Sequence, residues 1–421
     1  MTQSNFSDPV SMKEAKLARR DWLLMPLLSL ATMCVLACSV EFLAEQVFPH
    51  SSGFFKNCQV TDNPSAGLGG VPNAVCRFNN RDTPMTEYRL NGCGHRTEMV
   101  CGPKPAGAYR IVLLGSSFTA GEGVPVEKTF AASLPAELSR QTGRAVQIYN
   151  EGMFGDIPDI VSQRFNSVMA AEPDMILWIL TPHDIKNTSP PLYAIDSTKA
   201  AGKGGSEPRV RPGFLARARR GVLGEFTSKP LPEAVAELWQ HELDQLGWVE
   251  EFSSVMLFRH VLFANQRDYV KSYLMGGRDA GFLKAETDAE WRNHLRQFDI
   301  DDASIEAQAK AAGVPLVTVL LPNRAQAAMI SMGEWPAGFD PYTLDNELRS
   351  IVVSHGGTYL DILPRFRSVV NPEQYFFEVN GHPDAHGHLL VSEMLASELT
   401  GGAIPPLKAA SPNQAASEQG K

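Results

Sequence analysis

Four apolar residues in succession, Ile111, Val112, Leu113 and Leu114, stop at Gly115. A strand with one face in water alternates apolar and polar positions. A strand buried on both faces reads as an unbroken apolar run, as in the parallel sheets of α/β proteins. Ser116, Ser117 and Thr119 crowd the glycine-bounded turn that follows, before a helical pattern begins near Val126. Hydroxyls at the carboxyl end of a central strand stand where open α/β sheets bind their ligands. The plainer reading of the same turn is capping of the next helix.

The rhythm then repeats. Phe130, Leu134 and Leu138 recur at helical spacing, Ala145 to Tyr149 supplies a second strand, and NEGMFGD turns the chain from Asn150. A helix over 157–171 leads to a third strand, Met175 to Leu180, ending on Thr181, Pro182, His183 and Asp184. Strand, helix, strand, helix, strand at these intervals is the βαβ pattern of a parallel sheet. After a long break, a helical run near 305–312 precedes a strand over 314–321. A helix over 344–354, a short strand over 358–362 and a last helix within 382–399 complete the body.

One segment is not part of that body. Trp22 to Val40 carries no charge over about the length that crosses a bilayer. Lys13, Lys16, Arg19 and Arg20 precede it and Glu41 and Glu45 follow, so the excess of cations places residues 1–21 in the cytoplasm and exports everything after the anchor at 22–44. A signal peptide cleaved after Ala37 and a lipoprotein site ending at Cys38 are the competing readings. The net charge of -9 argues against a nucleic-acid surface.

Export agrees with the cysteines. Cys58, Cys76, Cys93 and Cys101 all follow the apolar span, and an even number in an oxidising compartment reads as disulfides. Sequence proximity favours Cys58 with Cys76 and Cys93 with Cys101; zinc is the rival reading, at spacings too irregular for it. They pin a Gly-, Pro- and Asn-rich leader over 45–105, in which 88–91 suggests a short strand. Residues 189–298 read as a helical insertion with a basic cluster from Arg209 to Arg220, either a solvated face or a contact for an anionic polymer or headgroup. The tail over 401–421 has a disordered composition.

Three loops thus meet at the carboxyl ends of predicted strands: Ser117 after the first, Gly155 after the second, His183 with Asp184 after the third. His382 stands just before the last helix. A serine that transfers an acyl group needs an imidazole to take its proton and donors for the oxyanion. The blocks GSSFTAGEGV, NEGMFGD, LTPHDI and GHPDAHGH, in this order, resemble the four signature blocks of the SGNH (GDSL) hydrolase superfamily. The resemblance covers about 109–184 and 314–399. It implies a three-layer α/β/α flavodoxin-like parallel sheet over 106–400, and the activity of an esterase, lipase or carbohydrate deacetylase with no cofactor.

Carried over by position, the resemblance makes Ser117 the nucleophile, His382 the base and Gly155 an oxyanion donor. His183 stands where the superfamily has asparagine. Asn380 or Val379 stands where it has the acid that orients the base, with Glu378 and Asp384 as nearby substitutes. The expected function is therefore a membrane-anchored exported serine esterase or O-acyltransferase acting on an acylated carbohydrate of an extracellular polysaccharide. The rival expectation is a catalytically weakened scaffold or carbohydrate-binding component associated with other envelope polysaccharide proteins. A third, metal-dependent hydrolysis through His382, Asp384, His386 and His388, rests on closely alternating ligand types.

Overall fold

The computed structural model describes residues 19–50, 52–53, 57–63, 67–188, 252–275 and 277–409. The basic cluster from Arg209 to Arg220, most of the expected insertion and the last part of the tail lie outside the described residues. Helix α1, Arg19–Val47, is followed by five short strands, β1 Ser52–Gly53, β2 Gln59–Asn63, β3 Gly67–Gly70, β4 Val75–Asn79 and β5 Thr86–Arg89. The α/β body runs β6 Tyr109–Gly115, α2 Ser117–Ala120, α3 Phe130–Thr142, β7 Val146–Asn150, α4 Pro158–Met169, β8 Met175–Leu180 and α5 Pro182–Lys186. It continues with α6 Ser253–Phe263, α7 Gln266–Met275, α8 Ala289–Ala312, β9 Leu316–Leu320, α9 Arg324–Met332, α10 Thr343–Ser354, β10 Thr358–Leu360 and α11 Ala385–Glu398.

The five long-range strands form one parallel sheet in the order β7-β6-β8-β9-β10. Numbered along the body, that order is 2-1-3-4-5, the doubly wound arrangement whose direction reverses between its first and third strands. Helices α3 and α11 pack together on one face, while α8 packs with α4 and α10 on the other. Every residue of β6, β8 and β9 is buried. Their continuous apolar sequences follow from this, because helices cover both faces and no position is left for alternation. Leu113 sits between Asn150 and Leu177 in neighbouring strands and is fully buried. Leu113→Ala is expected to cost about 2–5 kcal/mol in transfer and cavity terms.

The sheet's central turn requires glycine. Gly115 has φ +144°, and an added Cβ there would lie 2.4 Å from the Ile179 carbonyl oxygen of the adjacent strand. No other side chain can let β6 end this close to β8 and release the chain into α2.

Two expectations change. Residues 289–298, read as the end of an insertion, belong to the 24-residue crossover helix α8, whose Trp291, Leu295 and Phe298 are buried. The stretch reads as helical in sequence, but apart from the run near 305–312, with which it forms one continuous helix. The start of the tail is not disordered: Ile404 and Leu407 are buried and the Ala409 N–H donates to the Thr400 carbonyl. The leader, read as a link between anchor and body, forms two small antiparallel sheets, β1-β4-β5 and β2-β3. Disulfides join Cys58 to Cys76 and Cys93 to Cys101, with Cα separations of 6.0 and 5.7 Å.

Asp302 and Glu306 of α8 are buried, and burial pushes each carboxyl up to about 7. The folded state therefore keeps protons that the unfolded chain releases at lower pH, and stability falls as pH rises from about 4 towards 7. Asp302→Asn is expected to raise Tm by a few degrees near pH 8 and to change it little near pH 5. Calorimetry at the two pH values checks this.

Candidate active site

The turn that carries Ser117 is built at the point where the sheet order reverses. Gly115 ends β6, Ser116 is buried, and Ser117 opens the single turn of α2 with its side chain half-buried. Asn150, at the end of β7, donates from its side-chain amide to the Thr119 carbonyl at 2.8 Å and ties α2 to the second strand. His382 reaches the same place from a tight turn in which the Phe377 N–H donates to the His382 carbonyl at 2.9 Å and Gly381 has φ +75°. Ser117 Oγ and His382 Nε2 are 2.6 Å apart, across 265 positions of sequence. That distance is a hydrogen bond suited to proton transfer from hydroxyl to imidazole.

No acid stands where the resemblance expects one. Among the described residues, His382 Nδ1 is buried without a hydrogen-bond partner. Asn380 accepts the His382 N–H through Oδ1 at 3.1 Å and donates through Nδ2 to Glu122 Oε1 at 3.0 Å. Asp384 caps α11, accepting from the His386 and Gly387 N–H groups. Glu378 points to His260, 3.8 Å away. These substitutes therefore correct to a positioning amide, a helix cap and a distant pair.

The carboxylate that does approach His382 is Glu122, with Oε2 3.4 Å from Nε2 and its side chain buried. Gly121 and Gly123 on either side have φ of +78° and +73°, which turns Glu122 inward. Its other oxygen accepts from both Asn80 and Asn380 amides, at 2.9 and 3.0 Å. Burial lowers the His382 pKa below the usual imidazole range, and the nearby Glu122 charge opposes that shift. Sequence reading looked for the acid beside the base and missed Glu122, although its signal, a glutamate between two glycines five residues after the serine, was present.

The leader holds both loops. Arg96, buried over the Tyr88 ring at 4.1 Å, donates to the carbonyls of Ala120, Gly121 and Val124. The Tyr88 hydroxyl accepts the Gly123 N–H at 2.9 Å. Asp82 Oδ2 accepts the Val379 and Asn380 N–H groups at 2.8 and 2.9 Å. None of these contacts was visible in sequence, because each joins a Gly- and Asn-rich leader to a loop far along the chain.

Gly155 ends the turn after β7 at φ +77° and is exposed. That turn is braced by Arg164 of α4, which donates to Glu151 Oε2 at 3.1 Å, the Glu151 carbonyl at 2.9 Å and Asp156 Oδ2 at 2.5 Å, all buried. His183 follows β8 at the solvent rim, 3.0 Å from the Asn187 side-chain amide. Partial desolvation of its ring, with Lys186 and His382 nearby, lowers its pKa. Asp184 is instead a buried member of the Thr181 capping box.

The histidines of the metal reading do not converge. His388 is fully buried, accepts the Phe130 N–H at 3.2 Å and is pushed down to about 3 by burial, while His386 is exposed. Among the described residues no group of three or more His, Cys, Asp or Glu side chains is arranged to hold a metal ion.

The strand order defines the class: a doubly wound parallel α/β sheet, whose loops carry the four blocks that resemble the SGNH (GDSL) signatures. No family model and no curated protein matches the sequence. Solved structures that it resembles include an acetylxylan esterase from Geobacillus stearothermophilus, at 10% identity and TM-score 0.35, covering 70% of this chain and 96% of that one. A lipase/acylhydrolase from Enterococcus faecalis matches at 13% identity and TM-score 0.31, over 70% and 96%. A psychrotrophic esterase from Pseudoalteromonas matches at 8% identity and TM-score 0.32, over 69% and 96%. Likeness at this level carries neither substrate nor residue roles to this chain.

Asn380→Asp tests the arrangement of the acid. If Glu122 is the operative carboxylate, the change sets two carboxylates face to face and removes a donor from Glu122. Turnover of an activated ester is then expected to fall about tenfold or more. A rise would show that an acid is wanted at position 380.

Proposed function

We propose that this chain is a membrane-anchored, exported serine esterase or O-acyltransferase whose substrate is an acyl ester, acetyl in the first instance, on an extracellular polysaccharide. The observation that carries the reading is the 2.6 Å contact between Ser117 Oγ and His382 Nε2. An apolar window of 24 residues, Leu24–Val47, supports the anchor. The two disulfides that follow that helix, Cys58–Cys76 and Cys93–Cys101, support export.

In this mechanism Ser117 Oγ attacks the acyl carbonyl carbon as its proton passes to His382 Nε2. The imidazolium is stabilised by Glu122, whose charge lies 3.4 Å from the same nitrogen. The Ser117 and Gly155 N–H groups and the His183 ring are assigned to the developing oxyanion. Collapse breaks the bond to the alcohol oxygen, which takes the proton from His382 and leaves an acyl-Ser117. Water or a sugar hydroxyl then gives its proton to His382 and attacks the acyl carbon; the bond from that carbon to Ser117 Oγ breaks, and Oγ takes the proton from His382, which restores the serine.

Hydrolysis of p-nitrophenyl acetate by the full chain in detergent, beside Ser117→Ala, tests the reading. The wild type is expected to exceed the variant by about a thousandfold or more. Equal rates would favour the non-catalytic scaffold.

The pH profile tests the roles of base and carboxylate together. His382 must be neutral to accept a proton, so kcat/KM is expected to rise with pH through a limb below the ordinary imidazole value of about 6.5. Glu122→Gln removes the charge that holds the His382 pKa up. It is expected to move the limb to lower pH and to reduce the plateau by about one to two orders of magnitude. A lower plateau with an unmoved limb would leave Glu122 a structural role only.

A further inference from the structure

Helix α6 is apolar and short, and part of its surface is left uncovered among the described residues. Phe258, Val261 and Leu262 are 66%, 68% and 38% exposed. Their spacing of three and four residues puts them on one helical face. A patch of large apolar side chains in water on a helix is not explained by the body's core, and its neighbours in the fold indicate what covers it.

The first neighbour is α1. Glu41 accepts the N–H groups of Ser253 and Ser254, at 2.6 and 3.0 Å, and so caps the start of α6. Ser253 Oγ donates to the Phe48 carbonyl at 2.8 Å, and the Phe48 and His260 rings lie 5.0 Å apart. Contact with α6 buries Ala44 and Phe48, while Phe42, Leu43 and Val47 on the other sides of the same turns are each 64% exposed. The apolar window ends at Val47. Glu41 lies six residues before that end, or about 9 Å along the axis. The window itself is about 36 Å long, against a hydrocarbon core of about 30 Å. The uncharged run Trp22–Val40, 19 residues or about 28 Å, matches that core and ends just before Glu41, so a helix that docks at Glu41 sits at the depth where the span leaves the bilayer.

The second neighbour is the base-bearing turn. Arg324 donates to the Phe263 carbonyl at 2.6 Å and also to the Glu378 carbonyl, joining the end of α6 to the segment four residues before His382. His260 of α6 lies 3.8 Å from Glu378.

We infer that α6 is an interfacial helix whose Phe258, Val261 and Leu262 face enters the outer part of the leaflet from which α1 emerges, so that the rim carrying Ser117 and His382 is held at a phospholipid surface. The inference rests on the proposed reading of α1 as a membrane span. It narrows the substrate to esters presented at the membrane, and it gives α6 two roles: an apolar face for lipid and a polar end fixed to the turn that carries the base.

Photo-crosslinking in the full chain tests it. p-Benzoylphenylalanine is placed singly at Leu28, Phe258, Val261 or Val353, the last exposed on α10. Each protein is reconstituted in phosphatidylcholine and phosphatidylglycerol nanodiscs, irradiated, and read by mass spectrometry for lipid adducts. Adducts at Phe258 and Val261 are expected to match those at Leu28 and to exceed those at Val353 by about tenfold. Adducts at Leu28 without adducts at Phe258 and Val261 would overturn the inference and leave the anchor standing. No adduct at Leu28 would remove the anchor itself, and the inference with it. Phe258→Trp, a milder change, gives a second readout: its added fluorescence is expected to be quenched by brominated lipids, and unquenched emission counts against the inference.

Discussion

A hydroxyl and an imidazole 265 positions apart remain 2.6 Å from each other only if both of their loops are held from outside. Neither loop can do this alone. The serine turn is four residues of helix between glycines, and the histidine turn is a tight loop closed by one backbone hydrogen bond. What holds them is a polar network. Asn380 touches both His382 and Glu122, Asn80 holds Glu122 from the leader, and Asp82 anchors the backbone of the histidine turn. Burying these groups would cost several kcal/mol if they were unpaired, so the network is cooperative: loss of one member strands the others.

The leader therefore takes part in building the candidate site. A doubly wound sheet places its loops at the reversal point but does not fix their side chains. Here two small sheets, tied by Cys58–Cys76, and a loop closed by Cys93–Cys101 supply that second layer, with Arg96 gripping three carbonyls of the serine loop and Tyr88 accepting a fourth contact. The disulfides close short loops of 18 and 8 residues and so stiffen a segment too poor in apolar residues to fold by burial alone. The same logic extends to α6, which links the end of α1 to the histidine turn.

Much of the sheet was legible because its strands obey one rule strictly. Leu113 and Leu177 lie in unbroken apolar runs, and Val317 in a run interrupted by the buried Thr318 alone, as burial on both faces favours. Ser117, Gly155, His183 and His382 were legible as loop positions after those strands. The acid was not. Glu122 reaches His382 through two left-handed glycines and two amides, one from residue 80 and one from residue 380, and such a long-range polar contact leaves no periodic trace. The start of α8 was legible as helix but not as part of the body, because the local spacing of Trp291, Leu295 and Phe298 does not show which core they enter.

The central claim is that Ser117 is activated by His382 with Glu122 as its charge partner. It is tested most directly by covalent trapping of the full chain with a fluorophosphonate, followed by peptide mass spectrometry. The account predicts one phosphonyl group per chain on Ser117, with a trapping rate that falls at least about tenfold in Glu122→Gln and is lost in His382→Ala. Modification at another residue, or a rate on Ser117 indifferent to both changes, would contradict it.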